Sequence, residues 1–166
     1  MIATNMARKK LILSFVSLPL LALGMMLLPQ HARSTAQEAA QDGPKDPVPA
    51  FHNEVPSGAM PATLAPETFT EATVQNAYAL AAKIKKVLYQ QPCYCYCDRH
   101  AGHGSLLDCY TGKHAAECGV CLREGLYAYE QTKKGKTAAQ IREGIEKGEW
   151  KTVDMTKYQT PVTAAK

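Results

Sequence analysis

The sequence predicts a mainly α, small helical domain of about three helices closed by a Cys/His-rich loop. Three observations carry this. Apolar residues recur at three- and four-residue spacing over about 68–90 and about 114–134, the period of helices with one buried face. No stretch outside the N-terminal leader alternates convincingly at period two, as a half-buried strand would. All six cysteines fall between Cys93 and Cys121, in and around the connection between the two long helical stretches.

The first helix is expected over 68–90. Thr68 and Glu71 have capping-box spacing, and Val74, Ala77, Ala81, Ile84 and Leu88 then form one apolar stripe, with Lys83, Lys86 and Gln90 lying away from it. Pro92 ends this helix, because the residue before a proline is pushed out of the α region. From Asp98 to Lys113 the chain reads as loop, broken by Gly102, Gly104 and Gly112, with a single capped turn at "SLLD" (105–108). The second helix is expected over about 114–134, with Leu122, Leu126 and Tyr129 as its stripe. Lys133 and Lys134 give it a cationic last turn, and Gly135 a C′ residue. Thr137 and Gln140 repeat the capping-box spacing before a short third helix carrying Ile141 and Ile145. No internal repeat is visible.

Residues 1–36 read as a secretory signal peptide: Arg8, Lys9 and Lys10 precede the apolar run 11–28, and Ser34 and Ala36 offer a small-residue cleavage pattern. An uncleaved anchor is the rival, since this run of eighteen residues reaches the lower limit for a membrane span. Cleavage is the favoured reading, with no membrane span after it and an exported, periplasmic or secreted product. Residues 1–36 hold four bases and no acid, so the mature chain has fifteen bases against fifteen acids. Nothing is left of a basic footprint for nucleic acid, and that class of partner is set aside. Residues 37–66 carry six of the ten prolines with few large apolar groups, the composition of a disordered linker. The Cys/His-rich domain is placed at 67–155 and a C-terminal tail at 156–166.

Three pieces carry the chemistry: "CYCYC" (93–97), "RHAGHGSLLDC" (99–109) and "HAAECGVC" (114–121). On a continuous helix, His114, Cys118 and Cys121 stand at i, i+4 and i+7 on one face. They would lie in its first turns, where the helix dipole lowers a thiol's pKa towards the thiolate that metal binding requires. The first piece sets a geometric problem. In an extended strand the side chains of Cys93 and Cys95 would stand about 6.6 Å apart, whereas two thiolates on one tetrahedral zinc sit about 3.8 Å apart. Either the loop curls round a metal, or alternate thiolates bind different ions of a cluster. Soft thiolates select zinc or Cu(I).

A disulfide framework is the rival reading, since an exported small domain with an even number of cysteines is its usual setting. Bridges within Cys93, Cys95 and Cys97 would be strained at that spacing, and a staple has no use for the histidines His100, His103 and His114 that crowd the same region. "CGVC" is followed by Leu122, not by the histidine that c-type haem attachment needs. A thiol–disulfide redox role stays open through the C-x-C and C-x-x-C pairs. Asp98, Asp108 and Glu117 are read as a helix-cap group and solvated surface, with metal ligation as the sharper alternative. Tyr94, Tyr96 and Tyr110 are read as a shield against water.

"PCYCYC", "AGHGSLLDC" and "HAAECGVC" together resemble the bacterial family named after its PCYCGC motif, exported proteins and lipoproteins of no settled function. The likeness covers roughly residues 90–147. It implies Cys93, Cys95, Cys97, His103, Cys109, His114, Cys118 and Cys121 as the shared positions. Tyr96 stands where the motif has glycine, and no cysteine precedes Cys93, which speaks against a lipid anchor. The resulting expectation is an extracytoplasmic protein whose partner is a metal ion, zinc or Cu(I), held by those eight residues. No separate acid–base pair is evident, so an enzyme is the less favoured role. Transport, sequestration or resistance fit better.

Overall fold

The apolar stripe read over 68–90 is buried from Val74 to Leu88, but the helix carrying it starts later and is divided. In the computed structural model, which describes residues 46–160, α1 spans Ala72–Lys83 and α2 spans Lys85–Tyr89. The expected Thr68–Glu71 capping box does not form. Pro66–Thr68 winds as a 3-10 turn and Glu71 itself becomes the N-cap, in extended backbone. The cut between α1 and α2 falls at Ile84, whose N–H turns back to the Ala81 carbonyl at 3.0 Å. One i→i−4 bond is thereby exchanged for a tighter i→i−3 bond, which redirects the axis.

The "SLLD" turn extends to a short helix, α3 (Leu106–Thr111). The Asp108 carboxylate accepts the backbone N–H groups of Gly104 at 2.7 Å and Ser105 at 3.1 Å, so this acid satisfies helix-end donors as expected. The second long helix also starts later than its pattern suggested. Residues His114–Glu117 form a 3-10 turn, Cys118 is extended (φ −125°, ψ 105°), and α4 runs over Gly119–Lys133. Gly135 follows at φ 78°, the left-handed C′ position that glycine fills without strain. Helix α5 (Ala138–Glu146) carries the predicted capping box, with Thr137 and Gln140 exchanging hydrogen bonds at 3.0 and 3.3 Å. The described residues hold five α-helices and no strand.

Helix α4 is the central element, packing on α1, α2, α3 and α5. Leu126 and Ala128 of α4 meet a core that includes Tyr78 and Leu80 of α1, Leu106 and Leu107 of α3, and Ile141 and Ile145 of α5. Gly125 sits on α4 where Tyr110 crosses it. A Cβ there would lie 2.0 Å from the tyrosine oxygen. That close approach lets the fully buried Tyr110 donate its hydroxyl hydrogen to the Cys121 carbonyl at 2.9 Å, fastening α3 to the first turn of α4.

The proline-rich stretch from Asp46 to Ala65 is non-helical and lies against the helices. His52 stacks on Tyr89 with ring centroids 3.9 Å apart, and the Leu64 N–H donates to the Tyr110 carbonyl at 2.9 Å. At the other end, Tyr158 donates to Glu130 at 2.8 Å, and Asn76 donates to the Tyr158 and Thr160 carbonyls. The leader and residues 37–45 lie outside the described residues, as does the end of the expected tail. Among the described residues no helix is long and apolar enough to cross a membrane.

Candidate metal centre

The cluster is assembled by a curled loop, a short helix and a helix N-terminus. After α2 the chain turns at once: the Tyr96 N–H donates to the Cys93 carbonyl at 3.0 Å, Arg99 N–H to the Tyr96 carbonyl, and Ala101 N–H to the Cys97 carbonyl. Tyr96 is the only described non-glycine residue with positive φ, at 57°. The curl answers the geometric problem posed by the sequence. The Cys93 and Cys95 sulfurs lie 3.4 Å apart, against the roughly 6.6 Å of a straight strand. The ring of Tyr96 is covered by the Arg99 guanidinium at 4.0 Å and meets Tyr94 edge-on. Those two tyrosines are half-buried beside the sulfurs, while Tyr110 is wholly buried.

Cys109 comes from α3, His103 from the loop before it, and His114 from the 3-10 turn that follows. Cys118 is the N-cap of α4, its sulfur accepting the Cys121 N–H at 3.5 Å, and Cys121 lies in the first turn. The expected single helical face for His114, Cys118 and Cys121 is therefore not formed. The extended Cys118 breaks the helix between them, because its side chain caps α4 instead of continuing the turn. The three are still brought together, by the turn rather than by the i, i+4, i+7 period.

Cys93, Cys95 and Cys121 form a triangle of sulfurs with edges of 3.4, 3.4 and 3.5 Å. The Cys97 and Cys109 sulfurs are 3.4 Å apart, with His103 Nδ1 3.3 Å from Cys109. His114 Nε2 lies 3.6 Å from Cys95. Two sets of four donors have every donor atom within 4.8 Å of the others: Cys95, His114, Cys118 and Cys121, and Cys97, His103, Cys109 and His114. Cys93 groups at the same distance with Cys95 and Cys97, and again with Cys109 and Cys121. All eight residues singled out in the sequence are thus in one constellation, and it can hold a metal. The sulfur separations are far longer than the roughly 2.05 Å of a disulfide and close to the roughly 3.8 Å between thiolates on one zinc. None of the six cysteines is paired in a disulfide.

The thiols polarise one another. Hydrogen bonding from Cys93 draws the Cys95 thiol down to about 4, and hydrogen bonding from Cys121 draws Cys109 down to about 2. The donors are correspondingly pushed up, in each case chiefly through the bond to Cys109. The mutual hydrogen bonds thus favour the thiolate at Cys95 and at Cys109, the form in which a cysteine ligates a metal.

His100, read with the other histidines, is exposed, its ring centroid 6.2 Å from that of His114, and it joins neither donor set. The acids Asp98, Asp108 and Glu117 also stand outside the sets. Asp98 accepts the Ala50 N–H at 3.1 Å. The acid that sequence reading missed is Glu124, fully buried on α4. Its Oε1 accepts the Tyr94 N–H at 2.9 Å, and its buried Oε2 has no partner. Burial raises its pKa to about 8. This residue pins the cysteine loop to the helix. The available signal was its place one turn after Cys121, on the apolar side of α4.

No curated protein and no solved structure matches the chain. A family described as proteins of unknown function with a PCYCGC motif matches residues 53–162. The motif carries glycine where this chain has Tyr96, the position held at positive φ, a conformation that glycine takes without strain. With most of its length matched, this chain belongs to the PCYCGC-motif family.

Proposed function

We propose that the protein is an extracytoplasmic metal-binding protein that holds zinc or Cu(I) through its clustered cysteine thiolates with histidine support. One observation carries this reading: eight soft donors from five separate chain segments converge with sulfur separations of 3.4–3.5 Å. Disulfide pairing would not require two histidines among them. The leader pattern in residues 1–36 supports export. Transport, sequestration or resistance suit a site whose donors are all soft and which lacks a separate acid–base pair. The native mass of the protein, purified from the exported fraction without reductant, tests this. A mass raised by zinc or copper with thiols intact is expected. A metal-free mass lowered by two per bridge would overturn it in favour of a disulfide or thiol-redox module.

A further inference from the structure

The donors outnumber what a single ion can use. A tetrahedral ion takes four ligands, and eight are gathered here. If one ion were bound at Cys95, His114, Cys118 and Cys121, the buried pair Cys97 and Cys109, with His103 against it, would be left without a function. The two four-donor sets share only His114. A neutral imidazole offers one lone pair, so His114 can complete only one of them. Its Nε2 lies 3.6 Å from the Cys95 sulfur, which assigns it to the Cys95 set. The other set is then one ligand short.

Cys93 supplies the missing ligand. It belongs to neither four-donor set and touches both: its sulfur is 3.4 Å from those of Cys95 and Cys121 and within 4.8 Å of Cys97 and Cys109, and because the first set already has four donors, the second is the one it can complete. It is 2% exposed, so its thiol points into the constellation and not to solvent. With His114 in the first set and Cys93 in the second, each set becomes three cysteines and one histidine, a recognised closed zinc arrangement. No donor is left over.

We infer that the centre is dinuclear, one ion on Cys95, His114, Cys118 and Cys121 and a second on Cys93, Cys97, His103 and Cys109, with Cys93 and His114 at the seam between them. This rests on the metal-binding reading above and adds the number of ions and the division of ligands. Both sites are closed, with four protein donors each, so neither keeps an open position for substrate.

Anaerobic titration of the reduced full chain with Co(II), followed by thiolate-to-cobalt absorbance and native mass, tests the inference. Absorbance is expected to rise linearly to two equivalents. H103A, which alters a half-exposed loop residue, and C118S are each expected to keep one tightly bound ion and about half the absorbance, by losing different sites. Saturation at one equivalent, or at three or more, would overturn the dinuclear assignment while leaving metal binding intact. No binding of Co(II), nor of Cu(I) in the same anaerobic titration, would overturn the metal reading itself. Loss of both ions from folded H103A and folded C118S alike would contradict two separable sites. If either variant fails to fold, the wild-type stoichiometry still decides.

Discussion

The two halves of the centre are built by different physics. Cys118 and Cys121 stand on the N-terminus of α4, where local capping and a core-packed helix place them. Cys93, Cys95 and Cys97 stand on a curl with no regular structure, bent by the left-handed Tyr96 and pinned through its Tyr94 N–H to Glu124. The helical half is positioned by the helix packing and by the Tyr110 hydroxyl bond to the Cys121 carbonyl. The loop half brings sulfur against sulfur, with the Cys95 thiol drawn towards its thiolate by Cys93, and a cation bound there would offset that crowding. On the proposed metal-binding reading, the comparison teaches that metal and fold would be coupled mainly through the loop.

Removing the metal should have the largest effect. An ion bound at a hundred times its Kd adds about 2.7 kcal/mol, and roughly 4 °C of Tm accompanies each kcal/mol in a domain this size. A strong chelator under reducing conditions should therefore lower Tm by roughly 10 °C or more. Hydrogen exchange should show the Tyr96, Arg99 and Ala101 amides losing protection before Ile141 and Ile145 of α5. Uniform loss across loop and helices would break the distinction between the halves.

The helical half is most exposed to G125A. The added methyl would collide with the fully buried Tyr110, which has no room to retreat. Overpacking of this kind costs about 1–3 kcal/mol, and α3 with Cys109 should separate from α4. Denaturant melts of the metal-free and loaded protein should both record the loss, because the damage is to the scaffold.

Glu124 links the halves, and its pH response has a definite sign. The buried carboxyl keeps its proton up to about 8, whereas in the unfolded chain it ionises near about 4.3. Between those values the folded state binds more protons, so the Glu124 contribution falls as pH rises. In metal-free, reduced protein E124Q should therefore gain on wild type from pH 5 to 8, by denaturant melts. A difference independent of pH would show that Glu124 is already ionised. E124A, which leaves the Tyr94 N–H without its acceptor, should cost about 1–3 kcal/mol.

The smallest expected effect is at Tyr96. Y96A keeps the strained backbone and loses the ring contacts, while Y96G loses both. Y96G should be more stable than Y96A by about 1 kcal/mol, the usual penalty for a side chain in the left-handed region. Equal stabilities would mean that the loop relaxes out of the left-handed conformation when the ring is removed.

What could be read in the sequence was what is local. The Thr137–Gln140 box and the left-handed Gly135 involve neighbours in the chain, and both form as their residues suggested. The Val74–Leu88 stripe is buried for the same reason. The helix starts were misjudged where two local options compete: Thr68 has the spacing of a cap, but the proline before it favours a 3-10 turn, and Cys118 caps α4 where the pattern had it mid-helix. The eight candidate donors were legible from residue type and crowding alone, but their convergence depends on the curl, which brings distant segments together. The place of Glu124 on the apolar side of α4 was legible, but its role was not, because its partner, the Tyr94 N–H, lies thirty residues away.

The central claim is that sulfur and imidazole from this constellation hold the metal. X-ray absorption at the zinc edge of the zinc-loaded protein tests it most directly. The account predicts nearest neighbours dominated by sulfur at about 2.3 Å, three per zinc, with one nitrogen at about 2.0 Å. A shell of oxygen and nitrogen without sulfur would contradict it.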